Sequence, residues 1–406
     1  MPTPFDFDPT SVAFAADPYG VYAQMRDQDA PYYWPDLDMV MLSRYADVSQ
    51  IAVNSEMVRS LKGYRSDAEL EAEKRKSGFA DMPFHERFVQ TNLLDTDGPE
   101  HDRLRRLIFG AFTGRGVKHL ETFIQAYVDA LLSKVPRGLS FDFIEHVAAP
   151  LPGLVIGRFL GIPERDAPQL RQWSEDIVSY YDVDKTPEKK AKAEAAVKAF
   201  HDYLIGLKRE RRASPKDDLI SQMIMQEADG LFRKDELIAT CMLILMAGHG
   251  STIDVIGTGL NSLLNHPDAL QDLRDDPSLL PSAIEEMFRY EPPLPFFHRH
   301  ATQAVTLRGH EFPAGTTFGL LYSAANRDGN VFPDADAFNI RRAPNRHMAF
   351  GRGAHLCLGN QLAKLNMRIL FNALCSRFHL IEFAGNATFK SGLSTRGLKK
   401  LPLIVK

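Results

Sequence analysis

A lone cysteine in a glycine-rich loop is the residue of this sequence best equipped to do chemistry. It stands in Phe350-Gly-Arg-Gly-Ala-His355-Leu-Cys357-Leu-Gly359, directly before a strongly helical run at 361–378. Backbone N–H groups at such a loop and helix start can donate to a sulfur anion, which lowers the thiol pKa and favours thiolate. Glycines at 351, 353 and 359 let the backbone come close to a flat ligand. Together these features suit a thiolate that coordinates a metal cofactor from one side. The other cysteines are Cys241 and Cys375. An odd number in a chain with no export signal argues against a disulfide framework, and no pair has C-x-x-C spacing, so a metal site has to use one cysteine.

Other groupings have spacings that put their side chains together. Glu286 and Arg289 are three apart and fall on one helix face, where they can pair. His101 and Arg105, four apart, share a face suited to a single anionic group. Ala247-Gly-His-Gly-Ser-Thr252 places two hydroxyls and two glycines in the middle of a long apolar helix. Glycine there costs about 1 kcal/mol per residue relative to alanine, which points to tight packing on a cofactor or to a local bulge.

The cysteine segment resembles the heme-binding signature F-x-x-G-x-H-x-C-x-G of the cytochrome P-450 family, with Phe350, Gly353, His355, Cys357 and Gly359 at its defining positions. The likeness runs from about residue 17 to the C-terminus. Glu286-Met-Phe-Arg289 matches the family's E-x-x-R pair, which is buried and locks the following loop through a third arginine, Arg342 or its neighbour Arg341. Asp97-Gly-Pro-Glu-His101-Asp-Arg-Leu-Arg105 resembles D-P-P-x-H-x-x-x-R, with Gly98 in place of the first proline. The resemblance implies that Cys357 is the iron ligand of a heme b (iron protoporphyrin IX). It implies also that His101, Arg105, Arg299 and His347 meet the heme propionates, that Phe350, His355 and Gly359 shape the cysteine side, and that Ala247 lies against the other face. Ala325-Asn-Arg-Asp328 is a further family mark; Asn366, where a glutamate is common, is a departure.

Residues 247–252 resemble the oxygen-activation segment A-G-x-[D/E]-T-T. Aligned directly, the usual acid falls at Gly250 and the usual alcohol at Ser251, followed by Thr252. Activating oxygen beside a thiolate needs electron density from sulfur and protons from the opposite side. The Ser251 and Thr252 hydroxyls can hold water and pass protons. Asp254, one turn on, is the expected source, with His249 as a second candidate. The competing reading is that Gly248 and Gly250 only relieve crowding against the heme. The resemblance places substrate contacts at Leu94, Ile244, Ala247, Leu294, Phe296, Phe297 and Leu393, with Phe79, Phe84, Phe88, Ile177, Tyr180 and Tyr181 as further candidates. Most are apolar or aromatic, as expected for a small hydrophobic or aromatic substrate.

The elements that must position these groups form a helix-dominated chain. Helical spacing is expected over 17–26, 99–133, 185–212, 217–226 and 234–265, and the last is apolar on nearly every face, as in a buried helix. Strands are expected at 39–43, on either side of the turn at 313–315, and after 380, and 60–92 reads as a loop-rich stretch over a site. No linker, repeat or clean boundary divides the chain, so residues 1–406 are expected to form one domain: mainly α with a minor β portion, the heme buried between the long central helix and the cysteine loop.

The formal charge of −4 gives no basic excess for nucleic acid. The N-terminus lacks a secretory pattern, and no stretch has 18 uninterrupted apolar residues, so a cytoplasmic monomer without a membrane anchor is expected. No Gly-rich strand-to-helix fingerprint for flavin or nicotinamide is present. Electrons then come from outside, and the resemblance implies a ferredoxin with its reductase, met by Arg103, Arg106, Lys118 and Arg352. The expected activity is insertion of one oxygen atom from O2 by hydroxylation or oxidative O-demethylation. A peroxide-using heme-thiolate enzyme and a non-catalytic heme-based ligand binder are the alternatives.

Overall fold

The computed structural model describes residues 7–233 and 235–406, so residue 234, where one expected helix begins, lies outside the described residues. Its axis is the helix Glu236–Asn265, in which 22 of the 30 residues are buried. By length and composition this helix could cross a membrane, but 72% of its apolar stretch is inside the protein, where it forms the middle of the main core. Burial on all sides is what its nearly uninterrupted apolar pattern requires.

Its glycines set how close the neighbours come. A Cβ on Gly259 would lie 2.8 Å from Met287 Sδ, one on Gly257 2.6 Å from Ile144 Cδ1, and one on Gly248 3.0 Å from Ile156 Cδ1. Packing on the helices Leu280–Tyr290 and Pro150–Leu160 therefore depends on missing side chains. Gly248 faces Ile156, which supports the crowding reading for that residue but assigns the crowding to a neighbouring helix. Gly250 has no atom within 4 Å of its Cβ position.

The expected helices at 185–212 and 217–226 appear as Pro187–Ala213 and Leu219–Ala228, and the stretch 99–133 contains Gly98–Phe112 and Glu121–Ser133. The largest sheet of the minor β portion has five strands in the order Tyr32–Trp34, Met39–Leu42, Thr317–Leu321, Phe296–Ala301, Met57–Val58. Phe296–Ala301 runs antiparallel to Thr317–Leu321, with Arg299 opposite Phe318. Leu398–Lys400 pairs with Thr388–Phe389 in a hairpin that packs against the central helix.

The loop-rich reading of 60–92 is corrected. Asp67–Lys76 and Pro83–Val89 are helices. Ser66 and Glu69 form a capping box at the first, and proline stands in the first turn of the second. Neither has a wide apolar face, so hydrophobic periodicity did not reveal them.

The resemblance's ion-pair motif holds the segment that leads into the cysteine loop. Arg289 and Glu286 are both fully buried and joined by two hydrogen bonds of 2.7 Å. The other Arg289 donors reach the carbonyls of Asn326, Ala335 and Ala337 at 2.7–2.9 Å. Glu286 also accepts from Asn339 N, Asn345 Nδ2 and Arg342 Nε. Arg342 is thus the third arginine, and Arg341 pairs with Asp272 on the surface. Asn326 and Asp328 carry the tie further: Asn326 Oδ1 accepts from Met348 N at 2.7 Å and Asp328 Oδ2 from Tyr45 N at 2.9 Å.

Candidate active site

The loop from Phe350 to Gly359 closes on itself. Cys357 N donates to the Phe350 carbonyl at 2.8 Å, and Asn360 Nδ2 donates to the Cys357 carbonyl at 2.6 Å. Two of its glycines are explained by backbone shape rather than by ligand approach. Gly351 and Gly353 have φ of +69° and +74°, and a Cβ on Gly353 would meet the Ala52 carbonyl oxygen at 2.4 Å. Gly359 has open space instead. The helix Asn360–Arg377 then starts, and its first amide, with that of Gly359, points at the sulfur.

The thiol was expected to be acidic. In the structure burial pushes Cys357 above the ordinary thiol value, against the Gly359 and Asn360 amides and the charges of Arg105 and Lys364. The loop therefore holds donors that favour a sulfur anion in a place where that anion needs a further positive partner.

Cations converge beside it. Arg299 is buried, donates to the His298 carbonyl at 2.8 Å, and makes no salt bridge among the described residues. Burial lowers its pKa to about 10, with the nearby Arg59 charge adding to the shift. The His101 and His355 rings lie 4.4 Å apart, and His355 Nε2 donates to Asp97 Oδ1 at 3.2 Å. Burial depresses His355 to about 4 and His101 below its ordinary value. Arg105 donates to the Leu356 carbonyl at 2.8 Å and so serves the cysteine loop directly.

His347 is tied to groups of the protein itself. Its Nε2 pairs with Glu285 at 3.0 Å and its Nδ1 accepts from Ala349 N at 3.2 Å. Both ring nitrogens are engaged, so it has no donor left for a propionate. Arg59, which the sequence reading passed over, joins the cationic group through the same His298 carbonyl at 3.1 Å.

The central helix supplies the opposite wall. Ala247 is exposed, and Leu243, Gly248, Gly250 and Ser251 are half-buried, in the middle of a helix otherwise packed on every side. These positions follow one face, as spacings of three and four require. Ser251 Oγ donates to the Ala247 carbonyl at 2.9 Å and Thr252 Oγ1 to Gly248 at 3.2 Å. Thr252 is buried, so Ser251 is the hydroxyl on the open face.

Asp254 lies one turn beyond Ser251 on the same side of the helix, where the rest of the chain covers it. It is fully buried, accepts from Lys390 Nζ at 2.7 Å, and sits where a Cβ on Gly397 would meet Oδ1 at 1.9 Å. Its carboxylate is committed to the hairpin Thr388–Phe389/Leu398–Lys400, and burial raises its pKa despite Lys390. His249 turns toward Gly153, 3.0 Å from that residue's Cβ position, and burial lowers it to about 4. The Ser251 hydroxyl is hydrogen-bonded to the Ala247 carbonyl rather than to either of them.

Among the apolar candidates, Leu94, Leu294, Phe296 and Phe297 are half-buried. Ile244 and Leu393 are buried. Ile244 packs in the main core, and Leu393 joins Phe14, Tyr22 and Trp34, while Leu243 takes the open position on its turn. In the basic patch, Arg106, Lys118 and Arg352 are exposed, whereas Arg103 is spent on Glu100 and Glu236.

These residues fit a heme. A thiol faces backbone donors, a buried arginine lacks an acid, and an apolar helix face lies open. Residues 170–391 match the family model described as Cytochrome P450. The chain is 36% identical over 401 residues to Cytochrome P450 107B1 of Saccharopolyspora erythraea, covering 96% of each. The chain belongs to the cytochrome P450 family. Vitamin D(3) 25-hydroxylase of Pseudonocardia autotrophica is 34% identical, with 97% of this chain and 95% of that one covered. The crystal structure of the myxobacterial cytochrome P450 CYP267B1 with myristic acid superposes with a TM-score of 0.90 at 32% identity, covering 98% of both chains. This P450 is accordingly a monooxygenase-family oxidoreductase whose cofactor is heme b. In it Cys357 would hold the iron, and Arg299, His355 and His101 would meet the propionates. Arg299→Gln is expected to lower heme retention about 10- to 100-fold, as loss of an outer partner does at other metal sites. Heme transfer to apomyoglobin measures it, and a wild-type transfer rate would contradict the assignment.

Proposed function

We propose that this P450 inserts one oxygen atom from O2 into a small hydrophobic or aromatic substrate, by hydroxylation or oxidative O-demethylation. The observation that carries this reading is the open face of the central helix, apolar at Leu243 and Ala247 and with Ser251 as its hydroxyl. The heme supplies oxygen binding and redox chemistry when bound. The chain's own part is to give the iron a sulfur ligand from Cys357, to exclude water with apolar walls, and to hold a proton at Ser251 Oγ. A relative named as a hydroxylase and a neighbour crystallised with myristic acid support an apolar substrate. We place the described residues in a single domain of a cytoplasmic monomer. Electrons come from a ferredoxin and its reductase, docking where Arg106, Lys118 and Arg352 are exposed.

The test is turnover under 18O2 with ferredoxin, reductase and NADPH. One labelled oxygen is expected in a hydroxylated product, or in the formaldehyde released by O-demethylation. Peroxide-driven turnover is a second reading because Gly250 leaves the relay without its acid. Ferredoxin-driven rates below peroxide-driven rates would favour that reading over ours.

Ser251 and Gly250 make the relay testable. Ser251→Ala is expected to lower the product formed per NADPH about tenfold or more, at the weak end of losses from removing a proton-transfer group. Gly250→Glu is expected to raise that ratio, since the position is open, and to add about 1 kcal/mol of helix stability. Asp254→Asn is expected to leave the ratio within about twofold, because its partner is Lys390. A large fall in Asp254→Asn with wild-type behaviour in Ser251→Ala would return the relay to Asp254.

A further inference from the structure

A lysine beside the cysteine loop is held in place by an acid that the buried ion-pair motif does not use. Lys364 lies one turn beyond Asn360, whose amide points at the sulfur, so the two share a helix face about 6 Å apart along the axis. Helical side chains lean toward the N-terminus, which carries the lysine stem back toward the loop. Its ammonium stands 5.1 Å from the centre of the Phe350 ring, and the Phe350 carbonyl accepts from Cys357 N at 2.8 Å.

Glu285 fixes that ammonium. Its Oε1 pairs with Lys364 Nζ at 2.6 Å, and its Oε2 accepts from His347 Nε2 at 3.0 Å. The His347 ring stacks on Phe288, whose own ring is 4.4 Å from that of Phe350. Neighbouring Glu286 turns inward to Arg289 and Arg342 instead. One carboxylate thus joins the helix Leu280–Tyr290, the helix Asn360–Arg377 and the segment ahead of Phe350. Lys364 and Glu285 are both half-buried, on the wall of a groove of about 370 Å³ that Val117, Ile284 and Leu365 also line. A lysine there would otherwise extend into water, since its ammonium is strongly hydrated. Arg368, one turn on, is taken by Glu121 at 2.7 Å and does not replace it.

With Cys357 as the iron's ligand, on which this reading rests, we propose that Glu285 is a positioning residue: it pins the Lys364 ammonium over Phe350, where the fixed charge favours ferrous over ferric iron. Reduction adds one electron from the external donor and neither forms nor breaks a bond. The net charge of the site falls by one, so a nearby cation stabilises the reduced state.

The experiment is a spectroelectrochemical titration of the heme-loaded protein at fixed ionic strength. Lys364→Met removes the charge and is expected to move the reduction equilibrium toward ferric iron about fivefold. Lys364→Arg keeps the charge and should stay within about twofold. Glu285→Leu decides by sign. Loss of a negative charge alone would favour ferrous iron, whereas release of the ammonium into the groove favours ferric iron, by about threefold. A wild-type potential in Lys364→Met overturns the proposal, as does a shift toward ferrous iron, or none, in Glu285→Leu. If Glu285→Leu carries no heme, Glu285→Asp, which keeps the charge and draws it back from Lys364, takes its place, and an unchanged potential there overturns the positioning role. Iron-edge absorption on the same samples separates a missing sulfur ligand from an inert lysine. The potential is read without turnover, so a protein that shows these shifts and oxidises nothing would defeat the monooxygenase reading and leave this one standing.

Discussion

Arg289→Leu is expected to cost about 3–5 kcal/mol, because it takes from the fully buried Glu286 carboxylate the nearer of its two arginine partners and leaves the Asn326 and Ala335 carbonyls without their Arg289 donor. Total stability of a folded domain is about 5–15 kcal/mol, so the variant should accumulate poorly, melt far below the wild type and carry little heme. The loss reaches the cysteine because Glu286 also anchors Asn339, Arg342 and Asn345, within the segment that runs into Phe350. Arg341→Leu is the matched control. Its ion pair with Asp272 is about half exposed, and the change should fall within about 0.5 kcal/mol. Melting temperature and heme content measure both; a stable, heme-loaded Arg289→Leu protein would show that the buried pair does not hold the loop.

Cys357→His is expected to retain part of its heme and to lose product formation about 1,000-fold or more. That exceeds the 10- to 100-fold typical of losing an outer partner, because the sulfur's electron donation goes with it. No other cysteine can replace it. Cys241 is buried in the central helix, where burial pushes its thiol up to about 12. Cys375 lies 15 residues into the helix that Asn360 begins, about 22 Å along the axis at the rise of an α-helix. Product analysis on Cys357→His and Cys357→Ala checks this, and turnover near the wild-type rate would remove sulfur from the reaction.

The cysteine site was legible because its parts are local. Phe350 to Gly359 lie within ten residues, and one hydrogen bond from Cys357 to Phe350 closes the loop they form. Glu286 and Arg289 were legible for the same reason, one helical turn apart. Preferring Arg342 to Arg341 rested on the resemblance alone, since the segment around them has no regular period to fix which side chain turns inward. The partners of Asp254 and His347 were not legible because they are distant: Lys390 is 136 residues from Asp254, and Glu285 is 62 from His347. Helical spacing gives an angle around an axis but does not say what waits there. The same limit hid Arg59, whose part depends on a strand that starts at Phe296. Ile244 and Leu243 differ by one residue, about 100° around the helix, and only the packing shows which of them faces the open wall.

The account turns on sulfur bound to iron from Cys357. X-ray absorption at the iron edge of the heme-loaded protein, beside Cys357→His, tests it most directly. The expected result is four ring nitrogens and one sulfur bonded to iron in the wild type, with the sulfur gone in the variant. An iron without sulfur in the wild type, or one whose sulfur persists in Cys357→His, would contradict it.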